Sequence, residues 1–175
     1  MYSIDMSRMI LPRRPEEAGL DPEILAPFHY TLQGKGKKVR EVLVDCFQVW
    51  MDVPLEVVLA VKYVAEVLHT ASLIVDDIED NTEIRRGDPA AHVVFGTPLA
   101  MNAANCAYFL AVDKIASLGK LEAVQSFIHE CKLLHLGQGL DIYWREKNMC
   151  PSMEEYRRMV SHSMVSLVAQ SLLCY

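Results

Sequence analysis

A long apolar stretch that ends in a dense acidic cluster limits what this chain can fold into. From Leu55, apolar residues recur at helical spacing over about 26 positions, which predicts one long, largely buried helix. Asp76 and Asp80 share one face of its end, about 6 Å apart along the axis. Like charges at this spacing repel each other, so the sequence requires either a solvated face or a neutralising cation. Five carboxylates lie within eight positions: Asp76, Asp77, Glu79, Asp80 and Glu83.

Two interpretations of this acidic cluster compete. The first is an acidic helix end that faces water. The second is a site for a divalent cation and phosphate, because the acids follow an apolar stretch and are followed by Arg85 and Arg86 in a Gly/Asp/Pro loop. Mg²⁺ takes carboxylate oxygens and often completes its shell with substrate phosphate. Guanidinium groups bind phosphate oxygens in pairs. The pattern therefore favours a diphosphate site.

Composition excludes several classes of protein. A net charge of −6 with no basic face argues against a nucleic-acid binder. Five scattered cysteines without a C-x-x-C pair indicate reduced thiols of an intracellular protein. The N-terminus lacks the apolar core of a signal peptide, and no apolar run is as long as a membrane span. We therefore predict a cytoplasmic protein with no membrane span.

The pattern of residues predicts an all-α fold. Residues 1–20 show little periodicity and are expected to form a flexible N-terminal arm, and residues 21–175 are expected to form one helical domain. Asp21-Pro22 and Thr97-Pro98 have the form of helix starts, and Ser152 with Glu155 has the form of a capping box. The predicted helices cover positions 22–32, 39–51, 55–80, 97–118, 121–147 and 152 to the end.

Two further clusters are ambiguous when taken alone. Lys37 and Arg40 follow Gly36 at a predicted helix start, where anions are favoured, although a solvated basic turn would look the same. Gln138 and Asp141 share a helix face beside two helix-interior glycines. Those glycines suggest close approach of a ligand or of another helix, and packing explains them equally well.

Taken together, these motifs closely resemble those of the trans-prenyltransferases. They read H-x-x-S-L-x-x-D-D-I-E-D-x-x-x-x-R-R-G-x-P-A-A-H, N-A-A-N, L-H-x-G-Q-G-x-D-I-Y-W-R and C-P-S-x-E-E-Y-x-x-M-V. More narrowly, the chain is similar to eukaryotic geranylgeranyl diphosphate synthases. The resemblance implies an all-α helical bundle of the isoprenoid synthase type, usually a homodimer. It also implies Mg²⁺-dependent condensation of isopentenyl diphosphate with an allylic diphosphate such as farnesyl diphosphate.

The resemblance also assigns roles to individual residues. Asp76 and Asp80 are expected to ligate Mg²⁺, with Asp77 in support. Arg85 is expected to hold the allylic diphosphate. The group expected to bind isopentenyl diphosphate is Lys37, Arg40, His69 and Arg86, and Gln138 with Asp141 is expected to line the site. Ala71 and Ser72, both small and about a turn before Asp76, are expected to leave the cavity floor open for a C20 product.

The chain departs from the family pattern at two points. Where the family has K-T-G-G, this chain has Ser163, Met164, Val165 and Ser166, so a positive charge is lost. The second aspartate-rich motif is not found before Tyr175. We therefore expect a bundle that is incomplete at the C-terminus. This leaves a second interpretation open, in which a catalytically inactive, truncated homologue dimerises with a full-length synthase and regulates it. A class I terpene cyclase is a third, less favoured interpretation.

Overall fold

The computed structural model describes residues 22–34 and 39–161, and these residues are almost entirely helical. The predicted all-α class is confirmed. A two-residue antiparallel hairpin, which the sequence did not predict, pairs Ile84 with Pro89 and Arg85 with Asp88. The elements are α1 Ala26–Leu32, α2 Val39–Met51, α3 Leu55–Glu79, β1 Ile84–Arg85, β2 Asp88–Pro89, α4 Ala91–Phe95, α5 Thr97–Ala116, α6 Leu121–Glu146 and α7 Met153–Ser161.

Among the described residues, two helix ends differ from the expectation by more than one residue, and one helix was not expected. Helix α1 begins at Ala26, since residues 22–25 form turns. Helix α5 ends at Ala116, two residues before the predicted end, and Gly119 follows with a positive φ of 70°. The short helix α4, which directly follows the hairpin, was not predicted because five residues are too few to show helical periodicity.

The described residues form two compact units. The first contains positions 22–34, 39 and 63–114, and the second contains positions 40–62 and 115–161. In the first unit, α1 packs on α4, and α5 buries a series of small side chains. In the second unit, α6 packs on α7. The fully buried alanines of α5 that belong to the first unit are Ala100, Ala103, Ala104, Ala107 and Ala111. The predicted domain limits stay a prediction.

Helix α3 is a long apolar helix whose last turn carries the start of the acidic cluster. Its residues 55–62 belong to the second unit and its residues 63–79 to the first. By length and composition alone it would be long and apolar enough to cross a membrane, contrary to the expectation from the sequence. However, 67% of its most apolar 18-residue window is buried inside the structure. A core helix gives the same signal, so this observation is weak evidence for a membrane span.

Helix α3 ends in a Schellman motif that lies within the acidic cluster, between Asp80 and Glu83. The Thr82 N–H donates to the Asp77 carbonyl at 2.8 Å, and the Asn81 N–H donates to the Ile78 carbonyl at 3.3 Å. Asn81 takes the left-handed conformation that this motif needs, with φ of 53°. The motif satisfies the last carbonyls of α3, and it sets the direction in which the chain leaves the helix.

The capping box predicted at the start of α7 is confirmed. The Glu155 N–H donates to Ser152 Oγ at 3.3 Å, and the Ser152 N–H donates to Glu155 Oε2 at 2.8 Å. Ser152 Oγ also donates to Glu155 Oε2 at 2.7 Å, and this bond, followed by the one from the Ser152 N–H, lowers the pKa of the Glu155 carboxyl. The local sequence therefore determines where this helix begins.

The turn at Asn81 generates a stability prediction. We expect Asn81→Ala to lower the free energy of unfolding by about 1 kcal/mol. The reason is that alanine tolerates this positive φ less well than asparagine or glycine does. Asn81→Gly is the matched control and should leave stability unchanged or raise it. Urea unfolding followed by circular dichroism measures both, and equal losses in the two variants would contradict the assigned conformation.

Gly139 in α6 generates a second stability prediction. Among residues 22–34 and 39–161, a β-carbon built there meets no atom within 4 Å, so no close approach in this part of the chain requires the glycine. Gly139→Ala should therefore raise the free energy of unfolding by about 0.5–1 kcal/mol through the better helix propensity of alanine. Gly119→Ala, at φ of 70°, should lower it instead. Thermal unfolding of both variants tests the opposite signs.

Candidate functional site

Arg85 joins the two aspartates that begin the acidic cluster. Its Nε donates to Asp77 Oδ1 at 2.7 Å, and its Nη2 donates to Asp76 Oδ2 at 2.9 Å and also contacts Asp77 Oδ1. One guanidinium thereby satisfies carboxylates from two successive helix positions. The structure brings together three predicted site residues, Asp76, Asp77 and Arg85.

The two aspartates differ in their exposure. The Asp77 side chain is 2% exposed, whereas that of Asp76 is 38% exposed. A buried carboxylate is costly unless it is paired and hydrogen-bonded, and Arg85 supplies both. In return, the hydrogen bond to Asp77 raises the pKa of the Arg85 guanidinium, although partial burial acts in the opposite direction. Asp77 therefore anchors the arginine, and Asp76 keeps contact with solvent.

The hairpin presents its two arginines through a turn of positive φ values. Arg86 has φ of 58° and Gly87 has φ of 94°, as in the type I′ turns that close two-residue hairpin loops. The left-handed conformation is unfavourable for a residue with a side chain, and such strain is often found at functional positions. Arg86 Nη1 donates to the Gly34 carbonyl at 3.2 Å. This bond links the turn after α1 to the hairpin.

A pocket of about 530 Å³ lies in the first unit beside these groups. Its wall includes Asp77 from α3 and both arginines from the hairpin, so carboxylate and guanidinium groups both face the pocket region. The remainder comes from the C-terminal half of α1, from Leu73 of α3, and from the start of α4. Its size is within the range of pockets that bind small molecules. The full lining is Tyr30, Thr31, Gln33, Gly34, Leu73, Asp77, Arg85, Arg86, Asp88, Pro89, Ala90 and Ala91.

The other site residues predicted in the first unit lie on α3. His69 is partly buried, and its carbonyl accepts a hydrogen bond from Ser72 Oγ at 2.9 Å. Ala71 is fully buried. None of these three residues lines the pocket beside the arginines. The role of Ala71 and Ser72 in product length stays a prediction.

The remaining predicted residues fall elsewhere. Arg40 on α2 and Gln138 on α6 are partly buried in the second unit. Asp141 on α6 is exposed and lies 4.0 Å from Arg145 Nη1. Lys37 lies outside the described residues, as does the segment from Ser163 to Ser166.

The carboxylates of α3 suit a hard divalent cation. Asp76 and Asp80 lie one turn apart, since the Asp80 N–H donates to the Asp76 carbonyl at 2.9 Å, and both reach solvent. Oxygen donors that leave room for water and phosphate are what Mg²⁺ takes in proteins. Within residues 22–34 and 39–161, no group of three or more His, Cys, Asp or Glu side chains is placed to hold a metal ion. A cation at this site would therefore rely on further oxygens from water or substrate.

Sequence reasoning missed the contribution of α1 and of Leu73 to the pocket. Tyr30 Oη donates to the Pro89 carbonyl at 2.8 Å, and its ring packs edge-on against Phe95 at 5.6 Å. These residues are 59 positions or more apart in the chain, so local pattern does not reveal the contact. No signal within α1 marked Tyr30, since its neighbours His29 and Thr31 are also polar.

Comparison with known proteins identifies the family. A family model described as Polyprenyl synthetase matches residues 21–174 of this chain. The chain belongs to this family. The resemblance to trans-prenyltransferases that the motifs indicated is thereby confirmed.

Individual relatives give the same result. A geranylgeranyl pyrophosphate synthase of Metarhizium robertsii is 46% identical over 145 residues, which cover 83% of this chain and 43% of the relative. A geranylgeranyl pyrophosphate synthase of Zymoseptoria tritici is 42% identical over 150 residues, which cover 85% of this chain and 44% of the relative. The crystal structure of a geranyltranstransferase from Thermotoga maritima matches with a TM-score of 0.82 at 29% identity, covering 91% of this chain and 63% of that one. The chain spans less than half the length of the curated relatives it matches.

The buried pairing of Asp77 generates a prediction for this polyprenyl synthetase site. Asp77→Ala should lower the free energy of unfolding by about 2 kcal/mol, because it removes charge-assisted hydrogen bonds and leaves Arg85 with only Asp76. Glu83→Ala, an exposed residue of the same acidic cluster, should change stability by less than about 0.5 kcal/mol. Urea unfolding measures both variants. A loss no greater for Asp77→Ala than for Glu83→Ala would contradict the anchoring role.

Proposed function

We propose that the protein is a prenyltransferase of the geranylgeranyl diphosphate synthase type, which condenses isopentenyl diphosphate with farnesyl diphosphate in isoprenoid biosynthesis. The observation that carries the proposal is the Arg85 bridge to Asp76 and Asp77 beside the pocket, in a chain of the polyprenyl synthetase family. Acids that suit a cation and arginines that suit phosphate are side by side there. This combination fits a substrate that carries a diphosphate.

In this proposal the chain's residues bind and orient two diphosphates. Arg85, held by Asp77, offers its guanidinium to the allylic diphosphate, and Arg86 binds isopentenyl diphosphate. Lys37, Arg40 and His69 are proposed to assist Arg86, and Gln138 with Asp141 is proposed to line the site. In this proposal, water is kept away from the allylic carbocation, which the double bond of isopentenyl diphosphate attacks before a proton is lost.

Asp76 and Asp80 are proposed to hold Mg²⁺. When bound, the ion neutralises the leaving diphosphate as its bond to the allylic carbon breaks. The oxygen donors of these two residues and their access to solvent support this assignment. The proposed enzyme is cytoplasmic and works as a homodimer.

A second candidate function is regulatory. In this alternative the chain is a catalytically inactive homologue that dimerises with a full-length synthase and tunes its activity. Exposed apolar side chains on α2 favour it, since Val42, Val49 and Trp50 are 59%, 79% and 83% exposed. Such side chains often mark surfaces that associate with another protein.

The deciding measurement is incorporation of radiolabelled isopentenyl diphosphate into prenyl products, with farnesyl diphosphate and Mg²⁺. We expect a Mg²⁺-dependent C20 product whose rate of formation falls about 100-fold or more in Asp76→Ala, because a ligand for the cation is lost. Glu83→Gln is the matched control from the same acidic cluster and should keep wild-type activity.

The alternatives give different results in the same assay. Absence of product from the chain alone, with altered turnover when a full-length synthase is added, would support the regulatory function. Absence of both effects would exclude both candidates. If Asp76→Ala forms the C20 product as well as the wild type does, the proposed synthase activity stands, but Asp76 is not the metal ligand that we propose.

A further inference from the structure

Helix α1 holds the arginine hairpin at two points. The Tyr30 phenol donates to the carbonyl of Pro89 on β2, and the carbonyl of Gly34, just after the helix, accepts from Arg86 in the turn. The Tyr30 ring also packs against Phe95 of α4, the helix that follows the hairpin. All four residues of these two hydrogen bonds line the same pocket: Tyr30, Gly34, Arg86 and Pro89.

The hairpin needs support of this kind. Its strands have two residues each, and an isolated two-stranded ribbon of this length is not stable in water. The contacts of Arg85 with Asp76 and Asp77 fix β1. Pro89 pairs with Ile84 across the hairpin, so the hydrogen bond from Tyr30 fixes β2 from the other side.

We propose that Tyr30 is a positioning residue for diphosphate binding: with the Gly34 carbonyl, it holds the hairpin so that Arg86 is preorganised toward the pocket. The inference rests on the proposed function. A guanidinium has five N–H donors, so the bond from Arg86 to Gly34 leaves others for phosphate oxygens. Because Arg86 is held before the ligand arrives, binding does not have to order the hairpin, which strengthens affinity.

One observation supports the donor role of this phenol, and a second concerns the contact of Gly34 with Arg86. Burial, together with the nearby Asp88 carboxylate, raises the pKa of Tyr30 above its ordinary value, so its hydroxyl stays protonated. A β-carbon at Gly34 would lie 3.2 Å from the Thr31 carbonyl and 3.5 Å from Arg86 Nη1. The fit between α1 and Arg86 is therefore close.

The test is Tyr30→Phe, which keeps the ring that packs on Phe95 and removes only the hydroxyl. By titration calorimetry with Mg²⁺ present, we expect the Kd for isopentenyl diphosphate to rise about fivefold, as loss of one hydrogen bond would give. The Kd for farnesyl diphosphate should change less than twofold, because Asp76 and Asp77 still hold Arg85. Tyr156→Phe, half-exposed on α7, is the matched control and should bind both ligands as the wild type does.

Hydrogen exchange gives a readout that needs no ligand. In Tyr30→Phe, the amides of residues 84–88 and 90 should exchange faster than in the wild type and in Tyr156→Phe. Unchanged exchange, or equal weakening of both ligands, would overturn the positioning role while leaving the proposed function intact. If the wild-type chain binds neither diphosphate, the proposed function fails, and the substrate role given to Tyr30 fails with it.

Discussion

The site depends on the buried carboxylate of Asp77. At 2% exposure its charge requires a cation with well-aligned hydrogen bonds, and Arg85 provides it from a hairpin eight positions later. This requirement determines where the hairpin lies, and hence where Arg86 and the wall of the pocket are found. Asp76, one residue earlier, shares the same guanidinium but keeps contact with solvent. Of these two adjacent helix positions, Asp77 anchors the arginine, and Asp76 is the one proposed to bind a cation.

Helix α3 makes this division possible because it is a long helix whose apolar part is largely buried. Groups carried by helices are placed more reproducibly than groups carried by loops. The Schellman motif at Asn81 then turns the chain at once, which returns Arg85 to the helix end that it has just left. A longer or more flexible connection would require more ordering before the pair could form. The end of the helix, the turn at Asn81 and the ion pairs of Arg85 thus all lie within the segment from Asp76 to Pro89, and together they place the hairpin.

Much of this organisation could be predicted from sequence, and the limits have physical causes. Helices α2, α3, α5 and α6 are long and their starts agree with the pattern, because helical periodicity is strong over such lengths. The hairpin was read as a loop because four paired residues carry no period-two signal. The acids and arginines were recognisable because they are close in the chain. The contact of Tyr30 with Pro89 was not, because only tertiary packing brings those residues together.

The pairing of acids with an arginine also bears on how such a site can fold before it binds anything. Clustered carboxylates repel one another, and in a structural metal site the ion itself must relieve that repulsion during folding. Here Arg85 relieves part of it from within the chain. Its guanidinium has five donors, and partial exposure leaves it accessible, so it can keep Asp77 while another donor meets a phosphate oxygen. In the proposed function, a diphosphate that arrives with a cation places its oxygens near Arg85 and the cation near Asp76. Because Arg85 pairs with Asp77 from within the chain, the proposed binding does not have to break the buried pair.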